Sequence, residues 1–254
     1  MSGKRVLAGF HAVAARLRAA PDSIQGVYFD ARRRDGRMQQ LQQRAKEAGV
    51  RLVPVDTEQL RELSAGAPHQ GVVALAAEIQ QLLTLDDVLA DVGTDTLLLV
   101  LDGVTDPRNL GACLRVADAA GVTAVVVPRD RSAGMTPAAL KAAAGAAESV
   151  SLIEVTNLAR ALDAMSEAGV RTVGAVGEAE QSLYELDLYG PTAWVLGAEG
   201  SGLRRLTRER CDLLAKIPLR GQVESLNVSV AAGICLFETV RQRSVPQGAT
   251  RSST

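Results

Sequence analysis

Short apolar runs recur through the C-terminal two-thirds of this chain, at 97–101, 124–127, 151–155, 173–176 and 193–196. Segments with helical spacing separate several of them, at 110–120, 137–144 and 158–168. Strands that alternate with helices this way predict an α/β fold with a mostly parallel sheet covered on both faces. A further short strand, 213–217, ends at Pro218, and a polar loop then runs straight into a helix with small residues on its first turns. In such sheets ligands lie beyond the carboxyl ends of the strands, so the segments after Leu101, Leu196 and Ile217 are where chemistry is expected.

The first third reads differently. From Gly26 the pattern gives a strand at 27–29, a helix at about 37–48 and a strand at 52–55. A short helix at 58–63 and a strand at 72–75 follow, making a small αβα unit. Residues 78–94 are polar and broken, with Gln80-Gln81 and Asp86-Asp87, and read as a linker. The expected division is therefore a small domain over 1–77, the linker, a second domain over 95–243, and a disordered Ser-, Thr- and Gly-rich tail over 244–254.

No apolar run approaches a membrane span, and Met1-Ser2-Gly3-Lys4-Arg5 has no signal-peptide core behind it, so a cytoplasmic protein is expected. Cys113, Cys211 and Cys235 are scattered and odd in number, which indicates neither disulfides nor zinc, and no His, Asp or Glu spacing points to a metal. The net charge is −1 but unevenly spread: residues 1–79 carry 12 Lys and Arg against 8 Asp and Glu, the remainder 16 against 21. The N-terminal part is thus the expected nucleic-acid-facing half, since phosphate binding needs only a local basic surface. Its densest basic cluster is Arg32-Arg33-Arg34 with Arg37. Such a run is often just a solvated face, but this one opens a loop after a strand.

Three segments carry the functional signal. The first runs from Leu101 to Arg115 and contains Asp102, Asp106-Pro107, Asn109, Gly111 and Arg115. The second, Leu196-Gly197-Ala198-Glu199-Gly200-Ser201-Gly202, follows an apolar strand; the third runs from Ile217 to Ala232 and contains Ser225-Leu226-Asn227-Val228-Ser229. Asn227 is read equally well as a helix cap and as a site residue, and Ser225 as the residue that merely starts the helix. Arg115, amid Cys113, Leu114, Val116 and Ala117, needs either a partner such as Asp118 or Glu199 or a functional role.

In this order the three segments resemble the signature motifs D-x-x-x-D-P-x-N-x-G-x-x-x-R, G-x-E-x-x-G and I-P-x-x-x-x-x-x-S-L-N-V-S-x-A of the SpoU class of SPOUT RNA 2′-O-methyltransferases. The resemblance extends over nearly the whole chain. It implies a trefoil-knotted methyltransferase domain, an N-terminal domain like ribosomal protein L30e that binds RNA, and a homodimer. It implies S-adenosylmethionine as cofactor, with Gly197, Ile217 and Leu226 enclosing its adenine and ribose and Leu196, Gly200, Pro218 and Asn227 completing that site. It makes Arg115 the residue that activates the ribose hydroxyl, supported by Asn109, Glu199, Asn227 and Ser225. Arginine is a poor base, so an anchoring role on an RNA phosphate is preferred. Arg32, Arg33, Arg34, Arg37, His11 and Arg115 are the implied RNA contacts, and His69 matches a recurring position of the N-terminal domain. The implied substrate is a guanosine of 23S rRNA, in the peptidyl-transferase-centre P loop. Rivals are a tRNA guanosine 2′-O-methyltransferase, which would lack the N-terminal domain, a resistance-type rRNA methyltransferase, and a non-catalytic RNA-binding module. A dinucleotide-binding oxidoreductase is disfavoured, because no G-x-G-x-x-G turn follows an early strand.

Overall fold

Leu97–Asp102 is buried along its whole length, as a central parallel strand covered on both faces must be. The structure is a computed structural model and describes residues 4–77 and 83–244. The chain divides into two units, residues 1–82 with the short segment Ala144–Ser149, and Leu83–Ala143 with Val150–Thr254.

The first unit contains β1 (Lys4–Ala8), α1 (Phe10–Ala19), β2 (Ile24–Asp30), α2 (Gly36–Glu47), β3 (Leu52–Val55), α3 (Thr57–Leu63) and β4 (Val72–Ala77). Its strands run in the order β1-β4-β2-β3. The expected strands and helices from Gly26 onward are all present, and β1 and α1 precede them. As an edge strand β1 pairs on one side only, with Val6 exposed and Leu7 buried, so it leaves no long apolar run to read. Phe10, Val13 and Leu17 of α1 pack with Val27, Leu41 and Val72 in this unit's core. Asp35 and Asp56 cap α2 and α3, the latter in a reciprocal capping box with Gln59.

The second unit contains α4 (Leu85–Ala90), β5 (Leu97–Asp102), α5 (Pro107–Ala120), β6 (Ala124–Pro128), α6 (Pro137–Ala143), β7 (Ser151–Val155), α7 (Leu158–Glu167), β8 (Arg171–Ala175), β9 (Thr192–Gly197), α8 (Arg205–Glu209), β10 (Leu213–Ala215) and α9 (Val228–Ser244). Its strand order is β10-β8-β9-β5-β6-β7 and every pairing is parallel. The stretch read as a linker holds α4, which a Thr84–Asp87 capping box starts and which buries Leu85 and Val88 in this unit's core. Two buried anchors outweigh its polar residues. Residues 78–82, with Gln80-Gln81, lie outside the described residues, as does the expected tail beyond Ser244.

On one face, α5 and α9 pack together and Trp194 Nε1 of β9 donates to Thr239 Oγ1 of α9 at 2.9 Å. At the end of α9 Gln242 Oε1 accepts from Leu188 N at 3.0 Å, and Arg243 Nη1 donates to Asp95 O at 2.8 Å. These contacts hold α9 at its middle and its C-terminus, so the position of its N-terminus is fixed. Gly111 sets the approach of α6 to α5, because a Cβ there would lie 2.2 Å from Ala139 O.

Asp212 ties the edge strand β10 to β8, accepting from Thr172 N at 2.7 Å, Thr172 Oγ1 at 2.8 Å and Ser166 Oγ at 2.7 Å. Burial pushes its carboxyl up, but these hydrogen bonds and the charge of Arg171 outweigh that and hold it below the usual carboxylate range. A depressed folded value means stability that is present above the ordinary aspartate value and is lost as pH falls through the lower one. Asp212→Ala is expected to cost about 1–2 kcal/mol at pH 7. The gap from the parent protein should narrow below about pH 4. Urea unfolding at pH 7, 5 and 3.5 checks this, and a gap independent of pH refutes it.

Candidate active site

The carboxyl edge of the sheet brings the three sequence motifs together. β5 ends at Asp102, whose buried carboxylate accepts from Arg204 N at 3.0 Å and Arg204 Nε at 2.5 Å. That ion pair ties the first motif to the loop of the second. β9 ends at Gly197, where a Cβ would lie 2.0 Å from the Gly202 carbonyl carbon. The loop therefore folds back on its own strand, with Gly202 N donating to Ala198 O at 2.9 Å. Gly200 and Gly202 take φ values of 83° and 64°, the left-handed region in which glycine carries no Cβ penalty. Glu199 rides on this loop, exposed.

Asp106 caps α5 and Pro107 occupies its first turn, which places Asn109 inside the helix rather than at the cap. Asn227 sits immediately before α9. Its Nδ2 donates to Asn109 Oδ1 at 3.0 Å and to Glu199 Oε1 at 2.5 Å. Its Oδ1 accepts from Ser229 N at 2.9 Å and Ser229 Oγ at 2.6 Å. One amide thus caps α9 through its oxygen and joins α5 to the loop after β9 through its nitrogen. Val228 N also donates to Glu199 Oε1, at 3.3 Å, so the carboxylate lies at the positive end of α9.

Around this group Leu196 is buried, Ile217 and Leu226 are half-buried, and Gly200 and Pro218 are exposed. Two partly exposed apolar side chains at the ends of an open polar loop suit a flat heteroaromatic base. Arg115 is exposed on α5, about 9 Å along the helix axis from Asn109. Glu199 is engaged by Asn227 and not by Arg115. Ser225 is exposed and outside the hydrogen-bonded group. The thiol of Cys113 is pushed up to about 12, by burial first and then by the charge of Glu199. Burial likewise pushes Cys211 and Cys235 up to about 12, so none of the three is a thiolate nucleophile near neutral pH.

In the first unit the basic cluster organises around Phe10. The Arg33 and Arg37 guanidinium carbons stand 4.6 Å and 4.9 Å from its ring centroid. Arg37 Nη2 donates to His11 Nε2 at 2.8 Å, and Arg33 is held by Asp35 and Gln70 O. Arg32 and Arg34 are exposed. His69 Nδ1 accepts from Gly71 N at 3.1 Å, a turn-forming role. Among the described residues no group of His, Cys, Asp or Glu is placed to hold a metal ion. Sequence reasoning passed over Phe10 as an organiser and Asp102 as an anchor. The signal for Asp102 was a carboxylate closing an otherwise wholly apolar strand.

Residues 96–237 match the SpoU rRNA methylase family, and residues 6–82 match an RNA 2′-O ribose methyltransferase substrate-binding domain. The chain belongs to the SpoU rRNA methylase family. It is 58% identical over 245 residues to the 23S rRNA (guanosine-2′-O-)-methyltransferase RlmB of Ralstonia nicotianae, covering 96% of this chain and 98% of that protein. It resembles the crystal structure of an RNA 2′-O ribose methyltransferase with a TM-score of 0.76 and 29% identity, covering 95% of this chain and 90% of that one. An AdoMet-bound rRNA methyltransferase from Sinorhizobium meliloti shares the fold, with a TM-score of 0.72 and 23% identity, covering 94% of this chain and 87% of that one.

Gly197→Ala is expected to displace the 198–203 loop and lower the melting temperature, because the clash is with backbone and not with a flexible side chain. Overpacking of this kind costs about 1–3 kcal/mol. A melting curve superimposable on the parent's refutes it. Asn227→Asp keeps the Ser229 cap but removes both amide donations and sets a carboxylate against Glu199. Exchange protection of the first amides of α9 is expected to fall about tenfold, and unchanged exchange rates count against the joining role of Asn227.

Proposed function

We propose that this chain methylates the ribose 2′-hydroxyl of a guanosine in 23S rRNA, with S-adenosylmethionine as methyl donor. The observation that carries the reading is the Asn227 amide, which gathers Asn109, Glu199 and the start of α9 at one point on the carboxyl edge of a parallel sheet. The relatedness to RlmB over nearly both whole chains supports the guanosine target, and we place that guanosine in the peptidyl-transferase-centre P loop.

S-adenosylmethionine, when bound, supplies an electrophilic methyl group. Leu196, Gly197, Gly200, Ile217, Pro218 and Leu226 would hold its base and ribose. Asn109, Glu199 and Asn227 fix the loops around the reacting centre, so that orientation and preset dipoles carry most of the acceleration. Arg115, exposed and always charged, anchors an RNA phosphate and orients the hydroxyl. Its guanidinium does not accept the proton, which passes to phosphate or water. Ser225 closes the pocket from the third motif. The first unit is the L30e-like substrate-binding domain, with Arg32, Arg33, Arg34, Arg37 and His11 on the RNA backbone.

We further infer a trefoil knot, a homodimer and a cytoplasmic location. The knot is supported by Asn227, which follows edge strand β10 yet bonds Asn109 and Glu199 beyond β5 and β9. The dimer is supported by Val230 and Phe237, which stand exposed on α9. Location is supported by the absence, among the described residues, of a helix long and apolar enough to cross a membrane.

The test is methyl transfer from labelled S-adenosylmethionine to transcripts of 23S domain V and to total tRNA. Label on one domain V guanosine ribose, lost in Arg115→Ala, is the expected result; label on tRNA alone overturns the target. Arg115→Lys is expected to lower kcat/KM by about tenfold or more, because an ammonium cannot reproduce the planar fork. Near-normal turnover with unchanged RNA affinity counts against that role.

A further inference from the structure

Beside the site, on the same carboxyl edge of the second unit, the chain leaves an open groove of about 570 Å³. Its walls come from the segments after β6 and β7 and from the start of α8. Arg131, Arg204 and Arg205 line it, with Asp130 as the one lining carboxylate and Asn157 and Thr156 as neutral polar groups. Arg204 is also the residue bound to Asp102 at the end of β5. The groove and the hydrogen-bonded site therefore share an ion pair.

The three arginines differ in what holds them. Arg204 is committed to Asp102, and its charge is largely neutralised there. Arg205 pairs with Glu209 one helical turn on, but both are mostly exposed, 79% and 51%, so an incoming anion can displace that bond. Arg131 is exposed, takes part in none of the hydrogen bonds or ion pairs found among the described residues, and has a left-handed backbone with φ of 60°. Its backbone therefore suits glycine as well as arginine. Asn157 Oδ1 is spent on Arg160 N at 3.1 Å, which leaves its amide hydrogens to the groove.

We propose that this groove binds the phosphodiester backbone of the RNA flanking the methylated nucleotide, with Arg131 and Arg205 as the phosphate contacts. This inference rests on the reading of the chain as an RNA methyltransferase. It adds a second basic contact surface to the one in the first unit, within a half of the chain whose overall charge is acidic. The groove is open rather than enclosed, as a strand passing through it requires, and its cations suit phosphate better than base edges.

Full-length protein carrying Arg131→Glu with Arg205→Glu tests it, using a domain V transcript and an unrelated transcript of equal length. The expected result is about tenfold or greater loss of affinity for both RNAs, with a shallower dependence of log K on log salt, by about 0.7 for each phosphate no longer neutralised. Affinity for S-adenosylmethionine should equal the parent's. Arg131→Gly removes one charge at a position whose backbone suits glycine. It should show the same trend at smaller size, separating charge loss from misfolding. Unchanged RNA affinity and salt slope in both variants, in a preparation whose parent methylates domain V, overturns the groove alone. A parent that binds no S-adenosylmethionine and methylates neither RNA overturns the enzymatic reading instead. Intact affinity for RNA with lost methylation only of ribosomal particles would assign the groove to a protein partner and also overturn the proposal.

Discussion

One side-chain amide joins what the sequence keeps far apart. Asn227 uses both faces of its group, donating to Asn109 and Glu199 and accepting from Ser229. Each bond is worth only about 1 kcal/mol net, so the arrangement contributes little to global stability. Its consequence is geometric. Asn109 is a substituent of α5, Glu199 of the loop after β9, and Asn227 of the start of α9, so a shift of any of these elements breaks the set. An exposed polar group with this connectivity is ordered by the scaffold beneath it, and it stays accessible to a ligand because it is not buried.

That scaffold is rigid for separable reasons. The α9 helix is pinned at its middle by the buried Trp194–Thr239 bond and at its C-terminal end by Gln242 and Arg243, so its first residue has little freedom. The loop that carries Glu199 is closed against its own strand at Gly197 and tied to β5 by the Asp102–Arg204 pair. Because Asp102 is fully buried, loss of Arg204 would strand a charge there, which is costlier than loss of a surface pair. Two of the motif glycines thus serve chain geometry first. Gly197 makes room for backbone, and Gly111 makes room for α6.

The second unit was the more legible part of the fold, because buried parallel strands leave uninterrupted apolar runs and each one found in the sequence is a strand in the structure. The small unit was harder: β1 is a charged edge strand with one solvated face, and α1 is an alanine- and arginine-rich helix without a side-chain cap. α4 was missed because its capping residues, Thr84 and Asp87, read as polar linker while only Leu85 and Val88 are fully buried, with Leu89 packed partly against the core. At the site, the resemblance to the SpoU motifs pointed to Asn109, Glu199 and Asn227, and the structure brings those three into contact. Arg115 and Ser225 stand outside that contact. The stacking of Arg33 and Arg37 on Phe10 was also illegible, since it depends on the start of α2 and the turn before it meeting the first residue of α1.

Net charge was the least reliable guide, and the hydrogen bonds explain why. Residues beyond 79 carry an excess of five carboxylates over cations. Several of those carboxylates are internally committed, Asp102 to Arg204, Glu199 to Asn227, Asp212 to Thr172 and Ser166, and Glu238 to Arg241 and Gln242. Asp102 is buried beside the guanidinium of Arg204, whereas Glu199 and Asp212 stay exposed and charged, held in place by their hydrogen bonds. Arg131 has an exposed guanidinium, and Arg205 gives up only an exposed bond. The surface an approaching polyanion meets at the groove is therefore more basic than composition implies. Steering within a Debye length, about 10 Å at ordinary ionic strength, depends on that local surface and not on the sum over the chain.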